Sequence, residues 1–269
     1  MDTIKVPTMA EMVAAGETPD ILFWVGCSGS FDDRAKKITK AIVRILNHVN
    51  IKFAILGQEE SCTGDPAKRA GNEFLFQMQA MQNITVLNGY QVKKIVCGCP
   101  HCFNTIKNEY PALGGNYEVM HHTQLVQQLI DEGKLKVQGG EFKGKKIVFH
   151  DPCYLGRGND VYEAPREVIR KLDAELVEMK RSREKGFCCG AGGAQLFKES
   201  EPSFKEPANG NKEVNNERTA EALELQPDVI ALGCPFCNTM ITDGVKHFNK
   251  EGKTKVLDIA ELIANANDL

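Results

Sequence analysis

The ten cysteines of this 269-residue sequence include two series with matching spacing. In each series the first two members are 35 positions apart, and each series ends in a Cys-Pro-x-Cys motif. The first series is Cys27, Cys62, Cys99 and Cys102, and the second is Cys153, Cys188, Cys189, Cys234 and Cys237. A lone Cys-x-x-Cys pair is common to zinc sites, redox pairs and iron–sulfur sites. Its recurrence together with two more distant cysteine positions indicates a metal site in each half.

The second series contains two adjacent cysteines, Cys188 and Cys189, followed by Gly190, Gly192 and Gly193. Neighbouring Cα atoms lie about 3.8 Å apart, whereas a normal disulfide favours about 5.5 Å, so these two thiols do not readily bond to each other. Residues without a Cβ let the backbone approach a bulky group and direct N–H groups at its sulfur atoms. The pattern therefore favours metal ligands over a disulfide.

The number of cysteines separates two kinds of metal site. A structural zinc ion takes four ligands, which is the number in the first series. The second series has five, and five thiolates crowd one zinc ion, whereas a multi-iron cluster offers several metal atoms. The cysteines thus favour an iron–sulfur cluster in each half, with a double zinc module as the structural alternative.

Composition limits the other classes of function. The formal net charge is −3, with 42% hydrophobic and 26% charged residues, so the chain has the profile of a globular protein and nucleic acid is not an expected partner. No run of about eighteen apolar residues predicts a membrane span, and the first residues lack the pattern of a signal peptide. We expect a cytoplasmic protein, in which reduced thiols serve metal or redox chemistry.

Short apolar segments alternate with longer amphipathic segments in both halves, which predicts an α/β fold. We expect two tandem pseudo-repeated domains, each a parallel sheet covered by helices, with cysteines at the carboxyl ends of strands. A preamble is placed at 1–20, the first domain at 20–140 and the second at 145–269. The interval from Cys188 to the first cysteine of the second Cys-Pro-x-Cys motif is 46 residues, against 37 from Cys62 in the first half, and a surface loop at 198–211 is predicted to hold the difference.

Two helix starts are predicted from capping residues. The stretch "TMAE" at 8–11 has the pattern of a capping box. His121 and His122 precede an amphipathic segment for which Thr123 is the predicted N-cap, so we assign both histidines to a helix start.

Two residues close to the first Cys-Pro-x-Cys motif differ from their counterparts in the second half. Cys97, which corresponds to Leu232, ends an apolar segment and is predicted to be a small core residue. His101 lies inside the motif where the second half has Phe236, so the repeat does not require an imidazole ligand. We expect His101 to form a hydrogen bond beside the site or to be exposed.

Three polar residues flank Cys153. His150 and Asp151 precede it, and their roles remain open between placing a cluster or carrying a proton and simply forming a turn. Arg157 follows it and either offsets the negative charge of the thiolates or is a solvated surface charge.

The paired motifs carry a resemblance that covers nearly the whole chain from about residue 20. The order Cys, Cys-Cys-Gly, Cys-Pro-Phe-Cys, with "FHDPCYLGR" opening the second copy, resembles the cysteine-rich CCG-domain family. Known members are the B subunit of heterodisulfide reductase, the C subunit of anaerobic glycerol-3-phosphate dehydrogenase and a lactate-utilisation iron–sulfur protein. In this family a five-cysteine motif can hold a non-cubane 4Fe-4S cluster, and a four-cysteine motif can hold a cubane one.

The resemblance implies two 4Fe-4S clusters of different type. It assigns a non-cubane cluster to Cys153, Cys188, Cys189, Cys234 and Cys237, and a cubane cluster to Cys27, Cys62, Cys99 and Cys102. Thr63 stands where the second half has Cys189, so the first motif is incomplete and two non-cubane clusters are not implied.

The resemblance also implies a function. The chain is similar to electron-transfer subunits of heterodisulfide-reductase-like oxidoreductase complexes, which relay electrons between a dehydrogenase or flavoprotein and a quinone or disulfide acceptor. The implied partner is another iron–sulfur or flavoprotein subunit, membrane-bound or ferredoxin-like, which would hold the chain at the membrane periphery. A catalytic alternative is disulfide reduction at the five-cysteine cluster itself.

Overall fold

The computed structural model describes residues 4–198 and 213–269, which form two four-stranded parallel sheets flanked by helices. The strands are β1 (Ile21–Trp24), β2 (Phe53–Ala54), β3 (Lys94–Cys97), β4 (Glu118–His121), β5 (Lys146–Phe149), β6 (Glu175–Val177), β7 (Val229–Leu232) and β8 (Lys255–Asp258). The α-helices are α1 (Met9–Ala14), α2 (Gly26–Phe31), α3 (Ala35–His48), α4 (Asp65–Arg69), α5 (Glu73–Gly89), α6 (Pro100–Asn104), α7 (His122–Asp131), α8 (Gly156–Asn159), α9 (Glu163–Arg170), α10 (Val214–Glu224), α11 (Pro235–His247) and α12 (Ile259–Ala266). The predicted two-part α/β fold is confirmed. Apart from Lys198, the loop predicted at 198–211 lies outside the described residues. No helix within the described ranges is both long enough and apolar enough to cross a membrane.

The two sheets have the same strand order. The first is β2-β1-β3-β4 and the second is β6-β5-β7-β8. Leu22 pairs with Ile95, and Val148 pairs with Ile230, at matching distances from the cysteines of the two series. In each sheet the order reverses direction between the first and third strands, which creates a crevice at their carboxyl ends where open α/β sheets bind ligands. The duplication seen in the cysteine spacing therefore extends to the backbone topology.

The burial pattern of a strand decides whether its sequence predicts it. The central strands β1 and β7 are buried along all four residues, as expected when helices cover both faces of a parallel sheet. The edge strand β8 has one exposed, two partly buried and one buried residue, so it lacks the apolar run that predicts a strand. The long helix α5 also lacks a predictive pattern, because apolar residues such as Phe74 and Phe76 lie on both its exposed and its buried sides.

Both predicted helix starts are confirmed, but at the second one the predicted N-cap residue is wrong. Thr8 and Glu11 form the capping box, with the Thr8 backbone N–H donating to Glu11 Oε2 at 2.7 Å and the Glu11 N–H donating to Thr8 Oγ1 at 3.2 Å. At α7 the N-cap is His121 rather than Thr123, and the imidazole Nδ1 lies 3.4 Å from the Thr123 backbone nitrogen. Because β4 runs directly into α7, Thr123 is already within the helix.

The two halves pack against each other through equivalent helices. Helix α3 of the first half packs on α12 of the second, and α7 of the first packs on α9 of the second. Arg34 donates two hydrogen bonds of 2.7 Å to the Glu261 carboxylate across this boundary. One apolar core includes Ile42 from α3 and Leu262 from α12. These shared contacts hold the cysteine groups of the two halves in a defined relationship.

Candidate metal centre

Each crevice receives cysteines from the ends of its two central strands. Cys27 lies in α2 shortly after β1, and Cys99 is the N-cap of α6 directly after β3. In the second half Cys153 follows β5, and Cys234 is the N-cap of α11. Proline is the first helical residue of both Cys-Pro-x-Cys motifs, where its missing N–H is not needed. The second cysteine of each motif is therefore carried on the first turn of a helix beside the first.

The four cysteines of the first series line one cavity: Cys27, Cys62, Cys99 and Cys102. Cys27 and Cys62 are half-buried and hydrogen-bonded to each other, which lowers the pKa of Cys62 to about 7 and raises the pKa of Cys27. Cys99 and Cys102 are buried. Thr63 occupies the place of a fifth cysteine, with its Oγ1 3.9 Å from Cys102 Sγ. The four cysteines of the first series thus lie around one cavity, with a hydroxyl beside it.

The cysteines of the second series also converge. Cys189 Sγ lies 3.3 Å from Cys237 Sγ, and interaction with Cys188 raises the pKa of Cys153. The Gly190 backbone N–H donates to Cys188 Sγ at 3.2 Å, with Gly190 at φ +95°. The hydrogen bonds with Cys153 and Cys189, followed by that from Gly190, hold the pKa of Cys188 well below its usual value. The glycine after the pair therefore directs an amide at sulfur.

The two cysteine groups adjoin each other inside the protein. Cys99 of the first Cys-Pro-x-Cys motif and Phe236 of the second line the same cavity. Interaction with Cys102, followed by interaction with Cys234, lowers the pKa of Cys99 well below its usual value. The ring of His101 lies 5.0 Å from that of Phe236 between centroids. The motifs of the two halves therefore face each other.

One domain family matches this arrangement of nine cysteines on a duplicated four-stranded sheet. The model of the CCG cysteine-rich domain matches residues 21–107 and again 147–242. The chain belongs to this family. Both CCG matches include the cysteine group of their half.

Curated relatives align with most of the chain. It is 45% identical over 251 residues to the EtfAB:quinone oxidoreductase of Syntrophomonas wolfei subsp. wolfei and 45% identical over 263 residues to the probable iron-sulfur-binding oxidoreductase FadF of Bacillus subtilis. It is 35% identical over 254 residues to one subunit of the dihydromethanophenazine:CoB–CoM heterodisulfide reductase of Methanosarcina barkeri. These alignments cover 93%, 97% and 92% of this chain but only 35%, 36% and 59% of the relatives. The chain thus spans little more than a third of the length of the first two.

Two polar residues that the sequence does not reveal support the first CCG motif. The Glu60 carboxylate accepts hydrogen bonds from the backbone N–H of Val25 at 3.1 Å and of Gly26 at 2.6 Å, directly before Cys27. Burial raises the pKa of Glu60 to about 7. Asn83 of α5 donates to the Cys62 carbonyl at 3.0 Å. These contacts hold the backbone that presents the half-buried cysteines, and their partners are too far apart in the chain for a motif to show them.

A buried ion pair supports the second CCG motif. Arg166 of α9 donates to both carboxylate oxygens of Asp151, at 2.7 and 2.9 Å, and also binds Glu178. Asp151 Oδ2 additionally accepts from the Arg183 backbone N–H at 2.8 Å. Asp151 therefore anchors the segment that carries Cys153 instead of forming a turn alone.

The remaining sequence candidates have distinct locations. Cys97 is fully buried in β3 and is not among the residues that line the cavity, and burial raises its pKa well above the usual value. His101 is buried, and its Nδ1 lies 2.8 Å from Asp65 Oδ2, so this nitrogen is engaged by a carboxylate. Arg157 is exposed and forms no ion pair with any described residue. Its exposure favours the interpretation as a solvated surface charge.

The residues present fit iron–sulfur chemistry. Thiolates are the ligands of such clusters, and five converging thiols exceed what one tetrahedral zinc ion binds. Two glycines leave room beside the sulfur atoms, since a Cβ on Gly26 would lie 3.3 Å from Cys102 Sγ and one on Gly192 would lie 4.0 Å from Cys153 Sγ. The donor set and its close backbone therefore suit a bulky, sulfur-rich group in each half.

Proposed function

We propose that the chain is an iron–sulfur electron-transfer subunit of a heterodisulfide-reductase-like oxidoreductase complex. The observation that carries the proposal is the meeting of the two Cys-Pro-x-Cys motifs, whose His101 and Phe236 rings lie 5.0 Å apart between centroids. Two redox centres held this close exchange electrons within one chain. The relatives that are named as iron–sulfur and quinone oxidoreductases support the same class of function.

Each CCG motif would hold one 4Fe-4S cluster, and the bound clusters would supply one-electron redox chemistry. The proposed ligands of a cubane N-terminal cluster are Cys27, Cys62, Cys99 and Cys102. The proposed ligands of a non-cubane C-terminal cluster are Cys153, Cys188, Cys189, Cys234 and Cys237. The hydroxyl of Thr63 in place of a fifth thiol is the reason for the different types. We assign one cluster to each of two domains, at 20–140 and 145–269.

Each cysteine group contains both half-buried and fully buried cysteines. The half-buried cysteines are Cys27, Cys62, Cys153 and Cys188. Cys99 and Cys234, which lie on the side where the two motifs face each other, are buried. An external donor or acceptor therefore approaches the half-buried side of a group, while the buried sides serve transfer between halves. Electrons would enter through one half and leave through the other.

The partners follow from the same class of function. We propose a dehydrogenase or electron-transferring flavoprotein as the donor, and a quinone or a disulfide as the final acceptor. A further iron–sulfur or flavoprotein subunit, membrane-bound or ferredoxin-like, would complete the complex. Two relatives are named for a quinone and for a heterodisulfide as substrates, which supports both acceptor classes.

The first test is the iron and acid-labile sulfide content of the anaerobically purified chain. We expect about eight of each per chain, as two four-iron clusters require. Cys102→Ala and Cys237→Ala are each expected to lower the content by about half, and Cys97→Ala is the matched control that retains it. About two zinc ions and no sulfide would instead support the double zinc module and contradict the proposal.

The second test is electron delivery from the iron-loaded chain after reduction by dithionite and removal of the excess. Reoxidation by a soluble naphthoquinone, slowed in Cys237→Ala, is expected for a relay. Multiple turnovers with a small disulfide and no other protein would instead identify the catalytic alternative.

A further inference from the structure

His150 and Arg218 form a hydrogen-bonded pair beside the five-cysteine group. His150 directly follows β5 and Arg218 lies on α10, and both side chains are buried. Arg218 Nε donates to His150 Nδ1 at 3.0 Å. A ring nitrogen of His150 and the Sγ atoms of Cys189 and Cys237 all lie within 4.8 Å of one another. The pair thus connects α10 to the proposed sulfur ligands.

The hydrogen bond decides the tautomer of His150. An arginine Nε–H can only donate, so His150 Nδ1 accepts and the proton of the neutral ring is on Nε2. Because Nδ1 accepts this bond it carries no proton, so the ring is neutral. A ring nitrogen that carries a proton does not bind a metal, and Nδ1 is occupied by Arg218. His150 is therefore a hydrogen-bond donor beside the cysteines rather than a ligand.

Arg218 has one hydrogen-bond donor without a partner, on the edge of the guanidinium that contacts His150. Its Nη1 donates to the Arg181 carbonyl and to Glu221 Oε2, both at 2.9 Å. Its Nη2 is buried and has no hydrogen-bond partner among residues 4–198 and 213–269. In the planar guanidinium, Nε–H and one Nη2–H share an edge, so this donor lies on the edge that contacts His150. A buried unpaired N–H is unfavourable, and sulfur atoms of an anionic cluster are suitable acceptors.

The four-cysteine group has no cation at the equivalent position. Asn83 precedes the first Cys-Pro-x-Cys motif by 16 positions, as Arg218 precedes the second. Trp24 precedes Cys27 by three positions, as His150 precedes Cys153. Asn83 and Trp24 are both buried and neutral. The two halves therefore share a ring N–H at one position and differ in the charge of its neighbour.

We propose that Arg218, in contact with His150, raises the reduction potential of the C-terminal cluster above that of the N-terminal one. The inference rests on the proposed function, because it requires a cluster in each half. Reduction adds negative charge to a thiolate-bound cluster, and a buried cation favours the more negative state. Arg218 acts as a positioning residue, through its fixed charge and through the tautomer of His150. Electrons in the chain would then collect on the C-terminal cluster, which sets the direction of transfer.

The test is a redox titration of the iron-loaded full chain, followed by electron paramagnetic resonance. Arg218→Gln removes the charge and keeps an N–H donor at the ε position of the side chain, and Glu221 retains its bonds from Arg181 at 2.7 and 2.9 Å. We expect the ratio of reduced to oxidised C-terminal cluster at a fixed potential to fall at least tenfold, which is about 59 mV for one electron. The N-terminal signal is expected to remain unchanged. Arg218→Lys keeps the charge and should shift the ratio less, and Arg181→Gln, which removes a more exposed charge, is the matched control.

Each result bears on the proposal. A Gln variant with full iron and less than a twofold change in the ratio would overturn it. If that variant loses iron, Arg218→Met decides, because it also removes the charge while keeping a long unbranched side chain: a lowered potential supports the proposal and an unchanged one refutes it. The wild-type iron and sulfide content tests the proposed function separately from this inference, since a chain without clusters contradicts the proposed function itself.

Discussion

His101 and Phe236 occupy the same position in the two Cys-Pro-x-Cys motifs, and their rings contact each other with centroids 5.0 Å apart in an edge-on arrangement. The ring centroid of Tyr154, which follows Cys153, lies 4.3 Å from the centroid of the His101 ring. The rings thus fill the junction between the two cysteine groups. A duplicated sequence has folded so that its repeated motifs meet, which is the arrangement that a relay within one chain requires.

Cys97 should be dispensable for metal binding. We expect Cys97→Ala to retain all iron and sulfide and to lower the free energy of unfolding by about 1 kcal/mol, because one small buried group is lost from β3. Iron assay and anaerobic urea unfolding measure the two effects. Cys99→Ala, two residues away, is the control that should lose iron. Loss of half the iron in Cys97→Ala would show that Cys97 is a ligand.

Thr63→Cys should alter the N-terminal cluster alone. The substitution restores the cysteine pair of the second half, and the Thr63 hydroxyl already lies 3.9 Å from Cys102 Sγ. We expect an unchanged iron content and a change in the electron paramagnetic resonance signal of the N-terminal cluster toward that of the C-terminal one. Thr63→Ser is the control without a thiol. Identical spectra for the Cys and Ser variants would mean that a thiol at this position does not reach the cluster.

Gly26→Ala should impair the N-terminal site. Gly26 has φ +76°, and a Cβ there would lie 3.3 Å from Cys102 Sγ, whereas Gly16 has φ +69° and no atom within 4 Å of its Cβ position. Both substitutions strain the backbone by about 1 kcal/mol. Only Gly26→Ala is expected to lose iron from the N-terminal cluster, about four atoms per chain. Equal iron contents in the two variants would show that this close approach does not matter for metal binding.

Arg166→Gln should destabilise the second half. The substitution leaves the buried Asp151 carboxylate without its cationic partner, for which we expect a loss of about 3–5 kcal/mol in the free energy of unfolding. Arg170, one turn later on α9, pairs with Glu167 at the surface, so Arg170→Gln is expected to cost less than about 0.5 kcal/mol. Urea unfolding of both variants measures the difference. Similar values for the two would indicate that the Asp151 pair contributes no more than a surface pair.

Much of the fold follows from local patterns. The buried central strands and the amphipathic helices α3 and α7 are predicted by their periodicity, because burial on one or both faces leaves a regular signal. The edge strand β8 and helix α5 are not, since their residues mix exposed and buried positions. The N-cap of α7 is His121 rather than the predicted Thr123 because the exact end of β4 depends on pairing with β3.

The sequence by itself determined the duplication, the grouping of nine cysteines and the membership of each group, because these are properties of residue type and spacing. Only the tertiary structure decided that the ring of His101 contacts that of Phe236, that Glu60 holds the loop before Cys27 and that a neutral His150 faces the second group with Arg218 behind it. Those partners are separated by 33 to 135 positions and belong to different elements. Their contacts arise when helices and sheets pack, so no local pattern records them.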